Sequence, residues 1–119
     1  MFVIALLLGP SVRAGTIPAP AKPSPTEPID QLLSYLWKGD PKGQIVRDVL
    51  YGETSDEAKI VVSNAFHLVN YQARVEMVQE FGFTWGKINP SVKAAVLVVD
   101  EMGNFVGSRS FNGHVWVNR

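Results

Sequence analysis

The side chains best suited to acid–base chemistry lie in one short stretch near the end of the chain. They are Asp100, Glu101, Arg109 and His114. A carboxylate and an imidazole can exchange protons with a reacting group, and a guanidinium can stabilise developing negative charge. These residues define one hypothesis, a small exported hydrolase. Asp100 and Glu101 would point to opposite faces of a continuing strand, however, which makes them a poor acid–base pair.

Several other kinds of chemistry find no support in the sequence. The chain has no cysteine, which excludes a thiolate nucleophile, a disulfide and cysteine-based zinc or iron–sulfur sites. The two histidines, His67 and His114, are far apart in sequence and suggest no metal site. Ser108 lacks the Gly-x-Ser-x-Gly context of a nucleophile elbow, and the glycine turn 39–43 lacks the Walker pattern. We therefore predict no metal and no cofactor.

A second hypothesis rests on aromatic side chains. Phe105 and Phe111 share strand parity and therefore one face, and Trp116 follows on the next predicted strand. Trp85 lies in a short aromatic run upstream of them. Tryptophan is among the residues most enriched at binding hot spots. These four residues predict a non-enzymatic binding or accessory protein whose partner is another protein or a second copy of itself.

Charge and composition narrow the classes of partner. The 119 residues include 11 basic and 11 acidic side chains, which gives a formal net charge of zero. Binding to nucleic acid needs a basic surplus or a basic stripe, so none is expected. With 46% hydrophobic residues the chain can build a core, and its length predicts one domain.

The first residues have the pattern of an export signal followed by a tether. The apolar run 2–8 is too short to span a membrane, and Ala14 is a suitable cleavage point. No Lys or Arg precedes the run, which departs from the signal pattern, and a buried N-terminal strand is the alternative. Residues 15–28 are rich in proline and predict an extended linker. We expect a periplasmic or extracellular protein whose single α+β domain spans residues 29–119.

Residues 92–119 are the strongest structural signal and predict a three-stranded antiparallel meander. Their first run, 92–100, is apolar on both faces, which is typical of a strand that is covered on both sides. Gly103 suits the first turn because glycine adopts positive φ readily. Asn112-Gly113 predicts a two-residue type I′ turn before the last strand.

Two short helices are predicted at the start of the domain. Residues 29–38 carry an apolar stripe at helical spacing, and Gly39 ends this predicted helix. Trp37 belongs to the stripe and is therefore predicted to lie in the core. Residues 44–51 predict a second short helix, with a strand as the alternative.

The stretch 53–81 is predicted to be one long helix. It contains no Gly or Pro, Thr54 and Glu57 form a capping box, and Gly82 is well placed to end it. The alternative is a helix to about residue 66 followed by a strand from residue 68, since the later positions alternate between apolar and polar. The predicted fold class is α+β, with these three helices packed on a sheet of three or four antiparallel strands.

Removal of the leader is a direct prediction of the sequence. Cleavage after Ala14 should leave Gly15 as the first residue of the exported protein. The intact mass of the protein recovered outside the cytoplasm measures this, and a secreted form that retains Met1 or Phe2 would contradict it.

Overall fold

The computed structural model describes residues 27–119, so the predicted leader and all but the end of the predicted linker lie outside the described residues. This part of the chain forms three helices and five strands. In chain order they are α1 (Pro28–Gly39), β1 (Val46–Tyr51), β2 (Glu57–Val62), α2 (Ala65–Leu68), α3 (Tyr71–Ile88), β3 (Ala95–Asp100), β4 (Phe105–Arg109) and β5 (Val115–Val117).

The strands form one mixed sheet in the order β1-β2-β3-β4-β5. Neighbouring strands run antiparallel except β2 and β3, which run parallel. The α+β class and the antiparallel meander β3-β4-β5 are therefore confirmed. The prediction of only three or four antiparallel strands is wrong. A parallel pair needs a long crossover connection, which the segment containing α2 and α3 supplies.

The predicted helix over residues 44–51 is wrong, and its strand alternative is correct, because this segment forms β1. The long helix over residues 53–81 is also wrong, as is its alternative. The segment begins with strand β2, whose side chains alternate between buried and half-buried, and the helix comes afterwards as α3. The helical spacing of apolar residues here was coincidental, because the parallel pairing of β2 with β3 decides the local structure.

Helix α3 starts at a capped residue and continues through two glycines. The side chain of Asn70 accepts a hydrogen bond from the backbone N–H of Ala73, at 2.9 Å. Gly82 was predicted to end the helix but lies inside it. A Cβ atom at Gly82 would come within 2.3 Å of Cδ of Arg109, so glycine here lets a side chain of β4 cross the helix.

One face of the sheet, the core face, packs against the helices. A Cβ atom at Gly107 would lie 3.2 Å from Val78 of α3, so Gly107 marks the side on which this helix lies. Residues in register with Gly107 and at alternate positions along the strands share that side. The core face consists of Val46, Val49, Tyr51, Ala58, Ile60, Val62, Val96, Val98, Gly107, Arg109, Val115 and Val117, and the bulged residue Val106 is buried in the same cluster.

Helix α1 covers the β1 side of the core face with three leucines. Leu32, Leu33 and Leu36 are buried, as the apolar stripe predicted. Trp37, predicted to be in the core, instead lies at its rim and is partly exposed. Its indole N–H donates a 2.9 Å hydrogen bond to the carbonyl of Val46, which ties the end of α1 to the start of β1.

Both turns of the meander have the same geometry. The backbone N–H of Gly103 donates to the carbonyl of Asp100, and that of Gly113 donates to the carbonyl of Ser110. Each loop has three residues, and its glycine has φ near +90°. The positive φ of Gly103 is confirmed. The predicted two-residue type I′ turn at Asn112-Gly113 is wrong, because Ser110 pairs with His114 and places Phe111 inside the loop.

Replacing Gly113 should weaken the last hairpin. Gly113→Val forces a β-branched residue to a φ of +88°, which costs on the order of 1–3 kcal/mol in the free energy of unfolding. Gly86→Ala is the matched control, because nothing lies within 4 Å of the added Cβ and alanine favours the helix. Urea denaturation of both variants measures the difference, and an unchanged midpoint for Gly113→Val would contradict it.

Candidate functional site

The second face of the sheet, the open face, is left without a helix in the described chain. Helices α1, α2 and α3 all contribute buried side chains to the core cluster, which includes Leu32, Phe66 and Val78. The strand residues of opposite parity point away from that cluster. The open face consists of Asp48, Leu50, Glu57, Lys59, Val61, Ala95, Leu97, Val99, Phe105, Ser108 and Trp116.

Strand register aligns these side chains in rows across the sheet. The first row runs from β1 to β5 and comprises Leu50, Lys59, Leu97, Ser108 and Trp116. The second row runs from β1 to β4 and comprises Asp48, Val61, Val99 and Phe105. Apolar side chains therefore occupy the centre of the face and both ends of the first row.

Apart from Val99, which is buried, the large apolar residues of the open face keep part of their surface in solvent. Leu50 is 43% exposed, Phe105 47% and Trp116 42%. Between them Val61 and Leu97 are only half-buried. Large hydrophobic side chains scattered singly on a surface need no explanation, but a contiguous group marks an interaction site.

Phe105 and Trp116 form a stacked pair, called here the aromatic pair. Their ring centroids are 5.0 Å apart and the rings are within 9° of parallel. The register between β3 and β4 shifts so that Val99 pairs with Phe105 while Val98 pairs with Gly107, which leaves Val106 as an extra residue. This bulge turns Phe105 onto the open face beside Trp116.

The other two predicted binding residues lie elsewhere. Trp85 is fully buried in α3, where its indole N–H donates a 2.8 Å hydrogen bond to the carbonyl of Asp56. Its ring also meets Tyr51 edge-on. The expectation that Trp85 is exposed was wrong, because α3 continues through the aromatic run and turns this residue toward the sheet. Phe111 is exposed in the β4–β5 loop, at the end of the hairpin away from Phe105.

The structure does not bring the four residues of the hydrolase hypothesis together. Asp100 ends β3 and Glu101 follows in the turn, whereas Arg109 pairs with Val96. Four residues along a strand correspond to about 13 Å, so the acids and Arg109 lie at opposite ends of the sheet. His114 lies near Arg109 in the chain but has the parity of Trp116, on the other face.

The histidine near Asp100 is His67, and not His114 as the hydrolase hypothesis proposed. The carboxyl ends of the parallel strands β2 and β3 adjoin, which brings His67 and Asn64 to Asp100, Glu101 and Met102 around a cavity of about 190 Å³. The parallel pairing is the signal that would have revealed this group, but β2 was read as helix. Such a crevice at the carboxyl ends of parallel strands is where α/β sheets bind ligands.

The polar groups of this crevice mainly stabilise the turn that follows β3. Backbone and side-chain hydrogen bonds from Asn104 hold the pKa of Asp100 below its usual value, helped by the N–H of Met102 and the nearby His67. A carboxyl whose pKa is lowered cannot serve as a general acid near neutral pH. The Ser63 hydroxyl donates to the carbonyl of Gln44 and accepts from Ala65.

A third feature lies on the helix side of the sheet. Arg109 crosses Gly82 and enters a groove of about 330 Å³ that is also lined by Glu76, Gln79, Glu80 and Phe83. The two glutamates oppose the binding of an anion by the guanidinium, so the groove has no consistent charge.

Within residues 27–119 no three His, Asp or Glu side chains are grouped as a metal site requires. None of the helices there is both long and apolar enough to cross a membrane.

Two tryptophans should differ sharply in their effect on stability. Trp85→Ala removes a fully buried ring and should cost about 3–5 kcal/mol, a large part of the total for a small domain. Trp116 is 42% exposed, so Trp116→Ala loses the stacking in the aromatic pair, about 0.5–1.5 kcal/mol, and part of its packing, and should cost less than Trp85→Ala. Urea unfolding followed by circular dichroism compares them, and equal losses would mean that Trp116 is a core residue.

Comparison of the chain with models of protein families, with curated proteins and with solved structures finds no match in any of the three. The chain therefore offers three candidate sites, the open face, the crevice at Asp100 and the groove at Arg109, and the open face is the most extensive of these.

Proposed function

We propose that this chain is a non-enzymatic, exported binding protein that acts through the open face of its sheet. One observation carries the proposal. Strand β3 is apolar on both faces, a pattern typical of strands covered on both sides, yet the helices of the described chain cover only its core face. Leu97 on the other face is only half-buried and is therefore available to a partner, whereas Val99 beside it is already buried.

The aromatic pair gives this surface its anchor. Aromatic side chains bury large areas on binding, and Trp and Tyr dominate measured hot spots. Full burial of a large apolar side chain contributes about 1.5–3 kcal/mol, so burying the exposed halves of Leu50, Phe105 and Trp116 gives roughly 1 kcal/mol each. Because association itself costs several kcal/mol, the whole face is needed for measurable affinity.

The partner best suited to this surface is another protein. The zero formal charge of the chain gives no attraction to phosphate backbones or anionic lipid surfaces. The open face is mainly apolar at its centre, and the charged residues assigned to it belong to β1 and β2. The predicted export signal and the predicted proline-rich linker support action outside the cytoplasm, at the end of a tether.

Substitutions on the open face should abolish partner binding, whereas substitution of Asp100, from the hydrolase hypothesis, should not. The exported protein, immobilised, is exposed to envelope extract and culture fluid of the cells that make it, and retained proteins are identified by mass spectrometry. Trp116→Ala should lose the species that wild type retains, because truncating a hot-spot residue costs about 2 kcal/mol or more. Asp100→Asn should retain them, because Asp100 pairs with Val62 of the core face.

Phe83→Ala provides the matched control. Phe83 is an aromatic residue of α3 that is 55% exposed and lies on the helix side of the sheet. Its truncation removes similar exposed apolar surface without touching the open face. Loss of activity in folded Asp100→Asn or His114→Ala, with retention unaffected in Trp116→Ala, would overturn the binding function in favour of catalysis.

A further inference from the structure

We propose that Asn112 is a site of spontaneous covalent modification. Its side-chain amide closes a cyclic imide with the backbone nitrogen of Gly113, and the imide then hydrolyses to aspartate and isoaspartate. The site is the exposed loop between β4 and β5. The reaction needs no partner and no residue of the open face, so it is separate from the binding function.

The only co-reactant of this modification is water. The Gly113 nitrogen forms a bond to Cγ of Asn112, the bond from Cγ to Nδ2 breaks, and the amide leaves as ammonia with the proton of the Gly113 N–H. Water then opens the imide at either carbonyl. Opening at Cγ gives aspartate, whereas opening at the α carbonyl gives isoaspartate, whose backbone runs through the side chain. Either product carries a negative charge where Asn112 is neutral.

The β4–β5 loop leaves room for the imide to close. Residues 111–114 are all exposed. Gly113 has no Cβ to crowd the attacking nitrogen, and an added Cβ would meet only Nη2 of Arg109, at 3.9 Å. Ring closure also requires the backbone of Asn112 to rotate, and a surface loop permits this more readily than a helix or a strand.

Two donors already polarise the side-chain carbonyl that is attacked. Oδ1 of Asn112 accepts hydrogen bonds from the hydroxyl of Ser110 and from the backbone N–H of His114, the latter at 3.2 Å. When the nitrogen adds to Cγ, negative charge develops on this same oxygen. Donors aimed at a developing charge lower the barrier, so these two groups act as an oxyanion hole for the ring closure.

One hydrogen bond opposes the reaction and limits its rate. The backbone N–H of Gly113 donates to the carbonyl of Ser110 at 2.9 Å, and this bond must open before the nitrogen can attack. It closes the exposed end of a hairpin whose last strand, β5, has only three residues. Such an end opens locally far more often than the core of a domain, so the reactive form arises without global unfolding.

Asn112 is the only asparagine of the chain that precedes a glycine. The others are Asn64, Asn70, Asn89, Asn104 and Asn118. A side chain on the following residue crowds the attacking nitrogen, and the proline after Asn89 has no N–H at all. Asn70 is also held by its capping bond to Ala73. We therefore expect Asn112 to react ahead of the rest.

Peptide mapping of aged protein tests the site. The folded full chain is incubated at mildly alkaline pH and digested at intervals, and mass spectrometry measures the replacement of NH2 by OH at each asparagine. The modified fraction at Asn112 should exceed that at every other asparagine several-fold, and an isoaspartyl methyltransferase should label the peptide that contains it. The other asparagines are internal controls in the same sample.

Substitutions at Ser110 separate the oxyanion role from a structural one. Ser110→Ala removes the hydroxyl donor and should slow the modification several-fold, whereas Ser110→Thr keeps the hydroxyl and should restore the wild-type rate. Phe111→Ala is the matched control, because this side chain is 66% exposed in the same loop and donates nothing to Oδ1. Circular dichroism checks that each variant is folded. Modification of Ser110→Ala at or above the wild-type rate would contradict the role given to the hydroxyl.

The unfolded wild-type chain supplies a test that needs no variant. In urea the same sequence should convert Asn112, since nothing holds the Gly113 N–H there. If the folded protein keeps its amide at residue 112 over the time in which the urea sample converts, the loop protects the motif and the proposal fails. Equal modification of Asn64 or Asn104 in the folded protein would also overturn it, because the loop would then confer no selectivity.

Discussion

The parallel pairing of β2 with β3 is the constraint on which the rest of this structure depends. Two parallel neighbours cannot be joined by a tight turn, so the chain must return along the sheet before β3 begins. Helix α3 makes most of this return and lies on the core face, where Trp85 fills the interior. Helix α1 packs beside α3 on the same face, so residues 27–119 form two layers and place no helix on the other surface of the sheet.

A two-layer arrangement accounts for the contrast between the two faces of the central strands. Val96 and Val98 of β3 are buried under α3, whereas Leu97, between them, is only half-buried. Sheets that are open on one side usually carry polar residues there, and strands covered on both sides are apolar throughout. Strand β3 is apolar throughout, as strands covered on both sides are, yet no helix of the described chain packs on its second face. That mismatch is the physical reason for placing the binding surface on the open face.

Several charged side chains make hydrogen bonds or ion pairs that stabilise the fold. Asp100 accepts three hydrogen bonds within its own turn, which keeps it ionised. Arg47 and Glu101 form an ion pair at 3.4 Å with both side chains about half exposed, and such pairs contribute at most about 1 kcal/mol. Buried Arg74 donates to the carbonyls of Val69 and Asn118 and so ties the start of α3 to the C-terminal residues.

The sequence by itself determined the features that depend on neighbouring residues. The stripe of α1, the meander with its glycine turns and the α+β class all follow from periodicity or from positive φ, which act over a few residues. The exposure of Trp116 was also anticipated, whereas that of Trp85 was not found. Only the tertiary structure decided that residues 57–62 are a strand, that α3 passes through Gly82, and that Trp85 is buried while Trp37 is partly exposed. These outcomes depend on pairing between β2 and β3, more than thirty residues apart, and on the approach of Arg109 to the helix. Local propensities differ by less than about 1 kcal/mol per residue, so such long-range contacts override them.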